Sequence, residues 1–483
     1  MRLALVAVIG GAMALATAHA ARPDPMDRIA ELMKHGDYAQ AEAMLDAHVD
    51  ANPTDKFAVY NLACARAMAG KTEAAVETFL DALSLGFVDF FHAERDPHLA
   101  PIRGHERYRA VIESWARLLE ARFDAEVAAM EAAFDPEYLF RREGDLRLGF
   151  AAAVDVRDLD AAVSEAQRVW AFARTIMPVE SPDPARPDPW VHVIVPTMKD
   201  FARLVGRGGV HIGGFYARDD KRLVSRDLGP SLRHELFHVV HWRHMDRVGQ
   251  AHAIWIQEGL ASLVEDVDVR PDGTIEIRPS WRTNMAKRLG EGNRLMPLAQ
   301  FAETPREQFG GTRPRAMYGQ ARAWMLFLHD RGVLAEWYAR YVRDFAEDPS
   351  GVASVCAALG VEPRDVDREF RLWVRDLEAV ADLARPGAAS LGLALGQGDG
   401  SGPVVDELVG SRPRGVGGEG EHKLRYRDVI LSIENRGVRT LDDLYRVLGE
   451  FEVGDRVRVR VRRGIIEREL EVELVAYDPD AGR

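Results

Sequence analysis

Cysteine is nearly absent from this 483-residue chain, with only Cys64 and Cys356 present. They fall far apart in segments of different character, so a disulfide framework is not expected and two buried thiols are. Positive charge is also scarce. With 63 Lys and Arg against 76 Asp and Glu the net charge is −13, which argues against nucleic acid as a partner. The arginine-rich string Arg456 to Arg463 does not reverse this, because its arginines alternate with Val457, Val459 and Val461, as on a strand with one solvated face. Long apolar runs are missing after residue 20, so no later segment is expected to span a bilayer.

One apolar run, Leu3 to Ala16, does occur, at the start of the chain. Arg2 before it and Ala18-His19-Ala20 after it complete a secretory signal over residues 1–20, with a mature chain from Ala21 and a periplasmic or secreted location. An uncleaved membrane anchor is the alternative. No cysteine follows the small-x-small site, so lipid attachment is not expected there. Hydrophobic residues make up 47% of the chain, enough core for two to four globular domains.

The chemistry concentrates at His234-Glu235-Leu236-Phe237-His238 and at Trp255-Ile256-Gln257-Glu258-Gly259. Residues four apart on a helix share a face, so His234 and His238 aim two imidazoles at one point. A catalytic zinc takes three protein ligands and leaves a fourth position open, and two histidines with one carboxylate form such a set. Glu258 is the natural third ligand. Ser231 to Met245 reads as one helix, Asp246 to Ala253 with Gly249 as a turn, and Ile254 to Val267 as a second helix that brings Glu258 back to the level of the histidines. Glu235, beside the ligands, is the expected general base.

His244 is a rival third ligand, ten residues after His234. The HExxHxxGxxH pattern uses a glycine to break the helix and return the chain to the metal. His241 stands at that position and lets the helix continue, which carries His244 away and favours Glu258. His241 and His244 are then expected as polar residues near the helix end, where the dipole favours cations.

These two motifs resemble the gluzincin superfamily of zinc metallopeptidases, and more narrowly the bacterial peptidase-MA-like domains. The resemblance extends over about residues 140 to 380. Gly213-Gly214-Phe215-Tyr216 followed by Lys221-Arg222-Leu223-Val224 is similar to the hairpin before the metal helix in that group, and Tyr318-Gly319-Gln320-Ala321-Arg322-Ala323 is similar to the start of a later helix. It implies a thermolysin-like α+β catalytic domain with one Zn2+ per chain, held by His234, His238 and Glu258, acting on peptide or protein substrates. Gly213 and Gly214 either let a substrate backbone pair along the hairpin edge or form an ordinary turn. Tyr318 either donates to a developing oxyanion or is a structural tyrosine. Two departures stand out. The spacer from His238 to Glu258 holds 19 residues, one more than the commonest gluzincin aminopeptidase count, and the hairpin lacks the glutamate those enzymes use to hold a free amine. No second acceptor for the histidines is evident, since Ser262 stands four residues after Glu258.

Upstream, Gly36, Ala41 and Leu45 recur as Gly70, Ala75 and Phe79, each displaced by 34 residues. The period resembles the tetratricopeptide repeat, which implies a helical domain over 21–133, completed by the helical stretch from His105 to Ala133 and serving as a brace or as a surface for a protein partner. Leu159 to Thr175 reads as a helix and Trp190 to Pro196 as a strand of the 134–384 domain. After Arg385-Pro386-Gly387, the segments Ser390 to Leu395 and Asp428 to Ile433, the helix Thr440 to Leu448 and the strand after Gly454-Asp455 resemble a PDZ domain over 385–483. That resemblance implies a PDZ-like β-sandwich in which Leu391, Gly392 and Leu393 hold the terminal carboxylate of a peptide. It departs at Arg427-Asp428, where Gly-Asp is usual.

The reading is therefore a multidomain α+β chain, an exported zinc metallopeptidase whose repeats and PDZ-like domain recruit or gate substrates. The alternatives are a catalytically inactive scaffold built on the same two interaction domains, and an enzyme resembling the PDZ-containing glycyl aminopeptidases.

Overall fold

The computed structural model describes residues 25–134, 137–205, 213–311, 314–380, 387–393, 395–396, 401–405, 424–425 and 427–477. The expected signal over 1–20, the Gly-rich run from Gly410 to Gly420 and the boundary residues Arg385 and Pro386 lie outside them. Among the described residues no helix is long and apolar enough to cross a membrane.

The N-terminal part is helical. Helices α1 (Pro25–His35) and α2 (Tyr38–Ala51) turn at Gly36, and α3 (Lys56–Met68) and α4 (Thr72–Ser84) turn at Gly70. Both glycines are left-handed, at φ 80° and 77°, which ends the first helix of each pair without a Cβ penalty. The 34-residue displacement thus corresponds to two successive helical hairpins. Leu32, Ala41, Leu45, Leu62 and Ala65 are buried between them. After α5 (Phe90–Arg95), the helical stretch expected over 105–133 is made of two helices, α6 (Glu106–Glu113) and α7 (Trp115–Ala133). They part at Ser114, and Trp115 packs its ring 5.2 Å from Phe90 and 4.7 Å from Phe91.

The central part, 137–380, has one large core. Its five-stranded sheet runs in the order β1 (Leu139–Glu143), β2 (Leu148–Ala152), β3 (Val191–Val195), β5 (Arg222–Ser225), β4 (Gly214–Ala217). The β2–β3–β5 pairs are parallel and the outer two antiparallel. Every residue of β2 and β3 is buried, as in strands covered on both faces. The crossover helix α8 (Val156–Arg174) begins a turn earlier than expected, because the Asp155 side chain accepts the Asp158 N–H at 2.9 Å. Below the sheet lie α10 (Pro230–Val248) and α11 (Ile254–Leu263), which follow α9 (Met198–Val205).

Helix α10 continues to Val248, beyond the expected turn point, and stops where Gly249 adopts φ 70°. Helix α11 is shorter than expected. It ends at Leu263, and Val267–Val269 pairs as a strand (β6) with β7 (Ile275–Ile277). All of α11 is buried, with Trp255 donating to the Ser350 carbonyl at 3.0 Å. Gly259 explains itself by packing: a Cβ there would lie 2.7 Å from Met325 Cγ and 2.9 Å from the Ala321 carbonyl. A side chain would push α11 off the later helix α15 (Pro314–Asp330), which follows α12 (Trp281–Glu291), α13 (Leu298–Ala302) and α14 (Arg306–Phe309). Cys64 and Cys356 are both free and buried.

The C-terminal part has its own core, including Leu391, Ile430, Ile433, Leu444, Val457, Val459 and Val461. Its main sheet includes β8 (Val429–Ile433), β9 (Arg456–Arg463) and β10 (Ile466–Glu473), and the helix Leu441–Leu448 packs on it. The β9 valines are buried while Arg456, Arg458 and Arg460 are exposed. Arg427, where glycine is usual, takes φ 66°, the backbone shape glycine adopts freely. The adjoining Asp428 is fully buried and paired with the Arg463 guanidinium at 2.7 Å.

Candidate metal centre

A spacing of about one helical turn places His234 and His238 on one face of α10, and the antiparallel return of the chain brings Glu258 of α11 opposite them. His234 Nε2 and His238 Nε2 stand 3.0 Å apart, and Glu258 Oε2 lies 3.3 Å from the first and 3.5 Å from the second. All three residues are buried. Two imidazole nitrogens and a carboxylate oxygen, all lone-pair donors, thus form a closed triangle that a cation completes. Ligands about 2.0–2.1 Å from a tetrahedral centre stand roughly 3.3 Å apart, so the triangle has the right size for a metal ion. Among the described residues these three form the one His/Cys/Asp/Glu group of that kind.

The electrostatics agree. Burial alone would lower the His234 pKa, yet hydrogen bonds to Glu258 and Glu265 push it up to about 10. In the absence of a metal the imidazole itself carries the positive charge that the carboxylates call for. Glu258 is held well below the usual carboxylate range: burial opposes this, and the charges and hydrogen bonds of His238 and His234 overcome it.

Glu265 was not evident from the sequence. Its Oε1 lies 2.7 Å from His234 Nδ1, which orients the ring and leaves Nε2 to face the triangle. Arg282 of α12 grips the same carboxylate through Nε and Nη2, the latter 2.7 Å from Oε1. Glu265 follows Glu258 by seven residues, two helical turns, so spacing on one face was the available signal; Ser262, four residues after Glu258, instead donates its hydroxyl to the Gly259 carbonyl at 2.8 Å. Arg233, next to His234, donates to the Val264 and Glu265 carbonyls and pairs with Glu165 at 3.3 Å, which fixes the segment carrying Glu265.

Glu235 is half-buried, on the side of α10 that faces the edge strand β4. A Cβ on Gly214 would lie 3.3 Å from Glu235 Cγ and 2.7 Å from the Val224 carbonyl, and one on Gly213 would collide with Ser231. Glycine at both positions lets the sheet edge come down onto the site. Burial pushes the Glu235 carboxyl up, although His234 and His238 act the other way. Tyr318 of α15 has its ring 5.2 Å from Phe309 and 5.1 Å from the Arg282 guanidinium. Burial pushes its phenol up, and the negative charges of Glu258 and Glu235 add to that.

His244 is not part of the triangle. It points the other way, with Nδ1 2.8 Å from the Tyr338 hydroxyl. His241 pairs with His252 at 2.8 Å. The expectation of cationic residues at a helix end is corrected here. Both side chains are buried, and desolvation lowers the pKa of His241 far below its ordinary value and that of His244 to about 4, so both are neutral.

In the C-terminal part Leu391 is buried in the core and Leu393 packs partly against it. Gly392 is left-handed at φ 67°, and its N–H donates to Ser390 Oγ at 3.1 Å. That N–H is therefore already occupied within the loop.

No family model matches the chain, and no curated protein matches it. Among solved structures, an aminopeptidase N family protein from Idiomarina loihiensis aligns at 13% identity with a TM-score of 0.26, over 71% of this chain and 67% of that one. A likeness this slight carries no argument about the fold or the activity.

Proposed function

We propose that this chain is a zinc-dependent peptidase, with His234, His238 and Glu258 holding one Zn2+ and Glu235 acting as general base. The observation that carries the reading is the buried triangle of donors together with the Glu265–Arg282 pair behind His234. When bound there, zinc supplies Lewis acidity and makes water acidic near neutral pH. Glu235 takes a proton from the attacking water at its carboxylate, and its half-buried, desolvated position suits a group that must accept and return a proton near neutral pH. Tyr318 donates its hydroxyl toward the oxygen on which negative charge develops. Gly213 and Gly214 leave the β4 edge open for an extended peptide to pair alongside Glu235.

The chain is further proposed as an exported enzyme, cleaved after Ala20, in which the tetratricopeptide-like hairpins meet a protein partner and the PDZ-like part, at Leu391, Gly392 and Leu393, receives a peptide C-terminus. The Gly392 N–H engaged by Ser390 must be released, or bypassed, for that last role.

The test is metal content of the purified mature protein, wild type beside Glu258→Ala and His244→Ala, with peptidase assays on Glu235→Gln. Stoichiometric zinc lost with Glu258→Ala, kept in His244→Ala, and activity abolished with metal retained in Glu235→Gln are the expected results. A wild type that binds no zinc under zinc-replete conditions overturns the reading in favour of a scaffold.

A further inference from the structure

Three arginines lie around the candidate centre, and they differ in what neutralises them. Arg233 and Arg282 are committed to Glu165 and Glu265. Arg306, the first residue of α14, is exposed, and among the described residues it pairs with no carboxylate. Its Nη2 lies 3.2 Å from Gln257 Oε1, a neutral acceptor. Gln257 is itself buried and fully engaged: its Oε1 also accepts the Trp242 indole N–H at 2.7 Å, and its Nε2 donates to the His252 carbonyl.

This tether sets the guanidinium at the mouth of the site. Gln257 precedes Glu258, and Trp242 lies one turn beyond His238 with its ring 5.5 Å from that imidazole. Phe309, at the other end of α14, is buried against Phe301 and packs on Tyr318. Phe309 thus ties the short helix of Arg306 to Tyr318, and the Arg306 charge acts on Tyr318 together with those of Glu258 and Glu235. An exposed cation held by a neutral amide, in a chain of net charge −13, keeps its charge-assisted hydrogen bonds for an incoming group.

We propose that Arg306 is a specificity-determining residue that selects peptides presenting a carboxylate beside the bond to be cleaved. This rests on the peptidase reading above. The carboxylate can come from an Asp or Glu side chain or from the peptide's own C-terminus. A planar guanidinium recognises both by the same pair of N–H···O bonds.

The experiment uses the zinc-loaded full chain and a peptide library from a proteome digest, with cleavage sites mapped by mass spectrometry. Kinetics then follow on matched peptides carrying Glu or Gln near the cleaved bond, each as free acid and as C-terminal amide. Wild type is expected to prefer the carboxylate form by at least about tenfold in kcat/KM, which is the scale of one charge-assisted pair. Arg306→Gln should bring that ratio close to one, Arg306→Lys should keep part of it, and Arg306→Glu should shift preference toward Lys-bearing peptides. Loss of preference on amidation identifies the C-terminal source, and loss on Glu-to-Gln exchange the side-chain source. A wild type that cleaves the library without carboxylate preference, or a ratio unchanged in Arg306→Gln, overturns the proposal and leaves the peptidase reading intact. A zinc-loaded wild type that cleaves nothing overturns both.

Discussion

His234 Nδ1 and Glu265 Oε1 lie 2.7 Å apart, and the pair fixes which nitrogen of the imidazole turns inward. A carboxylate behind a metal-ligating histidine sets its tautomer and raises its basicity, and loss of such a partner typically costs about 10–100-fold in metal affinity. Glu265→Gln is therefore expected to weaken zinc binding by a factor in that range, measured by competition with a chromogenic chelator. An unchanged affinity would show that Glu265 merely neutralises Arg282.

Metal should also stabilise the fold, because the triangle joins α10 to α11 and exists only in the folded chain. At free zinc about 100 times Kd, the gain is about 2.7 kcal/mol. Thermal melts with zinc and with a chelator should separate for wild type and for Glu235→Gln, and coincide for Glu258→Ala. A zinc-dependent shift persisting in Glu258→Ala would place the ion elsewhere.

Gly259→Ala inserts a methyl where a Cβ meets Met325 Cγ at 2.7 Å and the Ala321 carbonyl at 2.9 Å. Overpacking of this kind costs about 1–3 kcal/mol. The backbone neighbour cannot yield as a flexible side chain can, so α11 must shift and carry Glu258 with it. The expected result is a lower denaturation midpoint together with weaker zinc binding.

A pH effect follows from Asp96 in the helical part. Its carboxylate is buried, yet it accepts hydrogen bonds from the Tyr60 hydroxyl at 2.7 Å and the His98 N–H at 2.9 Å, with His92 Nε2 at 3.5 Å. Burial pushes its pKa up, and the bonds from His92, Tyr60 and His98 bring it well below the usual range. A depressed carboxylate stabilises the fold above its unfolded pKa, about 3.9, and that contribution is lost as pH falls through the folded value. At pH 7 Asp96→Asn should destabilise the helical part by roughly 1–3 kcal/mol, through donors left poorly matched. The difference from wild type should begin to shrink below about pH 4, where the unfolded chain's carboxyl takes up a proton while the folded one is still ionised. Circular dichroism melts of both proteins between pH 3 and 7 test this, and a difference constant across that range contradicts it.

The helix carrying His234 to His238 was legible in the chain because its punctuation is local. Pro230 suits a first helical turn, Gly249 accepts the left-handed ending, and a four-residue spacing puts two side chains on one face whatever surrounds them. The glycine period of 34 residues was legible for the same reason, since Gly36 and Gly70 terminate helices by their own backbone freedom. Boundaries set by distant partners were not. Helix α11 ends at Leu263 because the following residues pair with Ile275–Ile277, and His241 and His244 are packed against His252 and Tyr338, where burial lowers their pKa values.

Sequence alone determined the types of the candidate ligands, their local spacing and the helix that presents two of them, all properties of covalent neighbours and of the 3.6-residue turn. Tertiary structure decided the rest. That Glu258 closes the triangle, that Arg282 reaches Glu265 from another helix, that β4 settles onto Glu235 because Gly213 and Gly214 have no side chains, and that Arg306 rests on the Gln257 amide all depend on packing between segments remote in the chain. Electrostatic and steric contacts act through space, and no spacing along the chain encodes those distances.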